Sequence, residues 1–367
     1  MLNIVLIFKI AGMEVAFRDR QELIAGRLHN VFAYTALPTG CVLGLFLFGL
    51  AVQAHMEAHI VGRAIAIYCA VVSCVMTGLL VYLHLSTYSQ PTQQRLIIRI
   101  LLMVPIYAVD SCLALWNYQH APLVGLVRDA YEAYVIYNFF HLLMNYLGGE
   151  QKALSAKIGS QVKHMFPLCC LPDFPLTHKT MIFWKLCLLQ YLVLKPLIAV
   201  ITLILSVTGH YDEASWSFGG AYVYFVFVLN FSVTLAFTCL VYFFKEFRTQ
   251  LEWVSPLGKF AAVKAVVFLS FWQGVIAGLL VHWNVIQGSK EGLWTKDEVA
   301  TGVQDFLICV EMLAMCYVHH LVFPETPYIT DTGYQRVKLN TFLHVISVRD
   351  IGRNFNQALS DFRDDTV

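Results

Sequence analysis

The chain has 367 residues, of which 58% are hydrophobic and 13% charged, with 25 Lys and Arg against 24 Asp and Glu. A soluble domain carries about 25% charged residues, so this chain is too poor in charge to cover itself with a water-facing surface. The composition points to an integral membrane protein, and a formal net charge of +1 supplies no basic footprint for nucleic acid.

Crossing about 30 Å of hydrocarbon takes about 20 mostly apolar residues. In chain order, residues 33–53, 64–84, 96–116, 123–146, 183–207, 219–243, 260–283 and 299–322 meet that requirement. They predict an all-α polytopic bundle of eight spans. The fourth opens with Arg128, Asp129 and Glu132, and without it seven spans would remain. Residues 1–32 read as an N-terminal cytoplasmic segment, 33–322 as the transmembrane domain and 323–367 as a C-terminal cytoplasmic tail. No small-residue cleavage site follows the apolar start convincingly, so no cleavable signal peptide is expected.

Lys and Arg concentrate in cytoplasmic loops. With eight spans and the N-terminus inside, seventeen of the 25 lie in inside segments and three (Arg63, Lys290 and Lys296) in outside loops. This bias predicts both termini cytoplasmic. The ten Cys sit mostly within apolar runs and read as small hydrophobes rather than as a disulfide framework.

Ionisable groups inside spans are costly unless paired or turned to water, which makes each a candidate site. Arg99 and Asp110, eleven residues apart with Pro105 between them, fall on one helical face. They fit either a bent helix lining a polar path or a snorkelling Arg with a salt-bridged Asp. Tyr134, Asn138, His141 and Asn145 form a stripe at spacings of four, three and four, suited to a cavity lining or to interhelical hydrogen bonds. Arg128 and Glu132 have i,i+4 ion-pair spacing. In the fifth span Lys195 precedes Pro196 near mid-bilayer, open to an anionic solute or to an acid such as Asp110 or Glu311. Ser270 and Gln273 interrupt the seventh span. Gln304 and Glu311 share a face of the eighth, with Asp305 beside them.

The adjacent His319 and His320 lack the i,i+4 spacing for a shared metal. No G-x-S-x-G elbow accompanies the scattered Ser, His and Asp, and Lys264 lies too close to its span's start for a retinal Schiff base. No catalytic residues, metal or cofactor are expected, and the chain reads as a non-enzyme. Cys169 and Cys170, in an inside loop shortly before a span, suit reversible S-acylation or stay as unmodified thiols under the loop.

Several ordered segments resemble the organic solute transporter alpha-subunit and transmembrane protein 184 family: QRLIIR at 94–99, VPIYAVDS at 104–111, RDAYEAYVIYN at 128–138, YLGGE at 146–150, Lys195-Pro196, FLSFWQG at 268–274 and QDFLICVE at 304–311. The likeness covers residues 61–322 and is closer to the transmembrane protein 184 branch. It implies a seven-helix core, here with one extra leading helix, and a palmitoylated cytoplasmic Cys loop, although this chain has only two adjacent Cys there. The transporter branch moves amphipathic organic anions by facilitated transport with a single-span beta subunit. Roles in endosomal trafficking, signalling or heparin reception have been suggested for the other branch.

The resulting expectation is a multi-pass protein of the plasma membrane or the endosomal or vacuolar membrane that passes or binds an amphipathic, anionic or sterol-like solute. Arg99, Asp110, Tyr134, Asn138, His141, Asn145, Lys195, Gln273, Gln304 and Glu311 would line the path. Its partners would be membrane lipids, the solute, and a beta-type subunit or further copies of the chain. The rival reading is a receptor or trafficking scaffold in which the same residues fix helix packing.

Overall fold

The computed structural model describes residues 58–117, 121–164, 172–209, 221–286, 295–330, 337, 339–347, 352, 353, 356 and 360. The expected span 33–53, the segment 1–32 and the loop thiols Cys169 and Cys170 lie outside the described residues. The helices are α1 (Ala58–Ser86), α2 (Pro91–Leu101), α3 (Met103–Trp116), α4 (Ala121–Tyr146), α5 (Glu150–Lys157), α6 (His178–Val207), α7 (Ala221–Leu251), α8 (Pro256–His282), α9 (Lys296–Val322) and α10 (Leu339–Ile346). Among the described residues, six helical stretches are long and apolar enough to cross a membrane: Ile60–Ser86, Pro91–Trp116, His178–Val207, Ala221–Val254, Pro256–His282 and Glu298–Tyr328. The protein is a multi-pass helical membrane protein.

Two compact units divide the chain, Met1–Gln119 with Lys264–Val345 and His120–Val263 with Ile346–Val367. In the first, α1, α3 and α9 pack on one another. The pattern along α1 explains why: Ala66, Ala70, Ser73, Thr77, Leu80 and His84 are buried, while Ile67, Val71, Val75 and Tyr82 are exposed. The small side chains let neighbouring backbones approach closely, and the large apolar ones form the surface that lipid covers. Ser73 satisfies its hydroxyl on the Cys69 carbonyl at 2.7 Å, as membrane helices require.

The third expected span is two helices interrupted at Leu102. Pro105 has no N–H to give to the Leu101 carbonyl, and its ring crowds that turn. The interruption thus falls within one turn of Pro105. Gln94 fixes the turn before it, with Nε2 donating to the carbonyls of His84 (3.0 Å) and Thr87 (2.8 Å) and Oε1 accepting from the Gln90 amide at 2.9 Å.

In the second unit α4 packs against α6 and α7, and α6 against α7. At 26 residues α4 is long enough to cross, but its polar content keeps it apart from the six apolar helices. Ala133, Val135 through Phe140 and Leu142 through Met144 are buried on all sides of it. This C-terminal half of α4 is enclosed by protein and does not need a lipid-compatible surface, which accommodates the buried Asn138.

The polar loop after α4 is not all helical. Gln161–Val162 and Phe174–Pro175 form a two-stranded antiparallel pair, with Gln161 opposite Pro175 and Val162 opposite Phe174. Lys157 Nζ reaches Glu246 Oε1 on α7 at 3.0 Å, and His164 Nδ1 lies 2.9 Å from the Tyr242 hydroxyl, so the loop is fastened to the end of α7.

Candidate functional site

Each unit holds its own polar cluster inside the helices. In the first, α8 and α9 bring Ser270, Gln273, Gln304 and Glu311 together. Gln273 Nε2 donates to Glu311 Oε1, and Gln304 Nε2 donates to the Ser270 carbonyl at 3.0 Å. Ser270 bonds back to the carbonyls of Val266 and Val267, both at 3.0 Å. Gly274 makes room for this seam, because a Cβ there would stand 3.2 Å from Gln304 Nε2. Glu311 Oε2 and Gln273 Oε1 are both buried without a hydrogen-bond partner. Two buried acceptor oxygens at one place between α8 and α9 favour a donor group, such as a hydroxyl or an ammonium.

Arg99 and Asp110 belong to the same unit and both are buried. Arg99 does not snorkel to the surface. Its Nε donates to the Val345 carbonyl at 3.1 Å, an arrangement invisible to spacing because 246 residues separate the two. Asp305 is buried too, and on its helix Cys309 Sγ approaches the Ala108 carbonyl of α3 at 3.7 Å.

The second unit carries the stripe and Lys195. The spacing of Tyr134, Asn138, His141 and Asn145 does put them on one face of α4, but two of them bond back along their own helix. Asn138 Nδ2 donates to the Tyr134 carbonyl at 2.7 Å, and His141 Nδ1 lies 3.1 Å from the Tyr137 carbonyl. Their rings stack locally, Tyr134 edge-on to Tyr131 at 5.4 Å and His141 against Tyr137 at 4.2 Å. Between α6 and α7, Gln190 Nε2 donates to the Ser232 carbonyl (3.0 Å) and Ser232 Oγ donates back to Gln190 Oε1 (2.8 Å).

Lys195 has an acid other than those the sequence suggested. Its Nζ lies 3.4 Å from Asp129 Oδ2 on α4, replacing Asp110 or Glu311 as counter-charge. Glu132, spaced to pair with Arg128, accepts a hydrogen bond from the Tyr191 hydroxyl at 3.2 Å. Asp129, Glu132, Tyr191 and Lys195 thus form a cluster with both acids on α4 and both donors on α6. Sequence reasoning missed Tyr191, although its place four residues before Lys195 put it on the lysine's face. Lys185 joins Glu150 at the start of α5, so that intraspan cation also has a counter-charge.

Residues 62–328 match the family described as organic solute transporter Ostalpha. In Arabidopsis thaliana, the protein described as LAZ1 homolog 1 is 34% identical to this chain over 276 residues, 70% of the chain and 56% of that protein. The chain thus spans little more than half the length of this curated relative. No solved structure matches it.

Proposed function

Because the chain belongs to the organic solute transporter Ostalpha family, we propose that it carries or binds an amphipathic, sterol-like organic solute across or within a membrane, without chemical conversion. The observation that carries this reading is the α8–α9 seam, where Glu311 Oε2 and Gln273 Oε1 stay unpartnered in an apolar setting. A solute hydroxyl would supply the missing donor while its apolar body lies along helices that expose Phe268, Trp272 and Ile276. An anionic head is less well served. Arg99 is engaged by Val345, Lys185 by Glu150 and Lys195 by Asp129.

In this reading α4 crosses the bilayer with the six apolar helices, the span 33–53 makes eight, and both termini are cytoplasmic. The membrane is the plasma membrane or an endosomal or vacuolar one, and a beta-type subunit or a second copy completes the assembly. S-acylation of Cys169 or Cys170 belongs to the same proposal and is read by acyl-exchange labelling in intact cells.

Flux in proteoliposomes tests the function. Vesicles with and without the protein are compared for uptake of a hydroxysterol, a sterol sulfate and taurocholate, and Glu311→Gln is measured beside the parent. Protein-dependent hydroxysterol uptake that falls severalfold in Glu311→Gln is the expected result. Equal uptake with and without protein, for all three probes, would remove transport.

The scaffold reading has its own support in the ion pairs Lys195–Asp129, Lys185–Glu150 and Lys157–Glu246, which fasten helices and loop to one another. It requires that Glu311→Gln change stability without changing any flux.

A further inference from the structure

The helix after the last apolar span has two unlike sides. On α10, Val345 is 3% exposed and packs with Leu85 of α1 and Ile98 of α2, with Val81, Tyr88, Leu102 and Val337 around them. The Arg99 bond to the Val345 carbonyl puts a guanidinium at the helix's C-terminal end, where the unpaired carbonyls gather partial negative charge. One residue earlier, His344 Nδ1 lies 3.1 Å from the Tyr88 hydroxyl. Burial raises the Tyr88 phenol above its ordinary value, with the Arg95 and Arg99 charges pulling the other way, so the phenol stays a hydroxyl donor. The other side of α10 exposes Phe342 (47%), Leu343 (55%) and Ile346 (56%). Three of the eight residues of this helix are therefore large apolar side chains left exposed.

Depth and charge identify what covers it. Leu85 lies one residue before the end of the apolar stretch Ile60–Ser86, and Tyr88 lies in the turn before the stretch that opens at Pro91. Contacts with Leu85 and Tyr88 lie at the same end of the spans. A helix held there rests at the boundary between headgroups and acyl chains, where amphipathic helices bury their apolar side by about 5–10 Å. The flanking sequence carries Arg336, Lys338, Arg349 and Arg353 against a single acid, Asp350. Basic residues bracketing an apolar helix side fit an anionic headgroup layer, with each Lys or Arg near such a surface contributing about 1 kcal/mol.

We propose that α10 is an interfacial helix that binds anionic phospholipid, with Phe342, Leu343 and Ile346 against the acyl chains and Arg99 clipping its carbonyl end to the first unit. This depends on the protein being membrane-embedded and not on its moving a solute, so the test has no flux readout.

The full chain carrying Phe342→p-benzoylphenylalanine is reconstituted in nanodiscs of equimolar phosphatidylserine and phosphatidylcholine, irradiated, and its tail peptide analysed by mass spectrometry. A lipid adduct with phosphatidylserine about fivefold over phosphatidylcholine is expected, the ratio that about 1 kcal/mol corresponds to. Adding Arg349→Gln and Arg353→Gln should lower the ratio while lipid labelling persists. Equal labelling of both lipids by the parent chain, or an unchanged ratio after the two substitutions, overturns the anionic preference. An adduct to polypeptide, whether a partner or a second copy, or no adduct at all, overturns the membrane assignment.

Discussion

Lys195 Nζ lies 3.4 Å from Asp129 Oδ2, so the lysine nearest mid-bilayer in the fifth span finds its counter-charge on α4. The two helices pack on each other, and the pair is a tie between them. Removing the lysine leaves Asp129 and Glu132, three residues apart, without the charge that faces them from α6. The lysine side chain is 18% exposed and that of Asp129 43%, which places the loss below that of a fully buried pair, at about 1–3 kcal/mol. Lys195→Ala should therefore lower the thermal midpoint in detergent by several degrees. Asp129→Asn should lower it as well, and the double variant should lose less than the two singles together. Strict additivity in that cycle would show that the contact contributes nothing.

The Gln273–Glu311 bond on the α8–α9 seam behaves differently, because one oxygen of each side chain is left over. Gln273→Leu removes the donor and exposes the Glu311 carboxylate to apolar neighbours. Glu311→Gln keeps the size and removes the charge. If the seam receives a solute hydroxyl, Gln273→Leu should weaken binding of a tritiated hydroxysterol about fivefold or more, the equivalent of one lost hydrogen bond of about 1 kcal/mol. An unaltered affinity in both variants would place the solute elsewhere.

Sequence alone carried the apolar helices well, because hydropathy and length are local properties. The expected 64–84, 96–116, 183–207 and 299–322 lie within α1, α2 with α3, α6 and α9. The break near Pro105 was equally legible, since the missing N–H acts one turn away. Partners were not. Spacing put Arg99 and Asp110 on one face, yet nothing within the third span shows that Arg99 bonds a carbonyl 246 residues later. The stripe on α4 was correctly aligned, but its use was not readable, because Asn138 could bond outward or back to Tyr134 with the same spacing. Lys195 needed an acid, and hydropathy cannot tell Asp129 from Asp110. Such choices are made by packing between helices distant in sequence, for which a single chain offers no periodic signal.

The entry of α9 rests on a capping box. Thr295 Oγ1 accepts from the Glu298 amide at 3.3 Å, and Glu298 Oε2 accepts from the Thr295 amide at 2.7 Å, satisfying two N–H groups that no helical carbonyl can reach. Lys296 adds a contact of 2.5 Å with Asn284 Oδ1 beyond the end of α8. Thr295→Ala should cost about 1 kcal/mol, and Thr295→Ser should restore most of it. Amide exchange over residues 296–299 is the measurement, with faster exchange in the Ala variant alone. Equal rates in the two variants would mean that the hydroxyl is not holding the first turn.

The turn after α4 depends on two glycines for different reasons. Gly148 has φ +81 and closes the helix, its amide donating to the Asn145 carbonyl and that of Gly149 to the Met144 carbonyl, each at 3.1 Å. A left-handed residue at this place is the usual way to end a helix, and Asn can adopt it. Gly149 has φ 96 and ψ 170, a conformation closed to residues with a Cβ, although nothing lies within 4 Å of where that Cβ would be. The penalty at Gly149 is thus purely one of backbone strain, about 1–3 kcal/mol. It bears directly on Glu150, whose carboxylate meets Lys185. Gly149→Ala should lower the thermal midpoint and also loosen the Lys185–Glu150 contact, so that adding Lys185→Met costs less in the Gly149→Ala background than in the parent. A Cβ at Gly148 would stand 2.8 Å from Lys152 Cδ, a flexible side chain that can move aside, so Gly148→Asn should be tolerated better than Gly149→Asn. If the two Asn variants unfold at the same temperature, the difference in backbone geometry between the glycines is not what the turn requires.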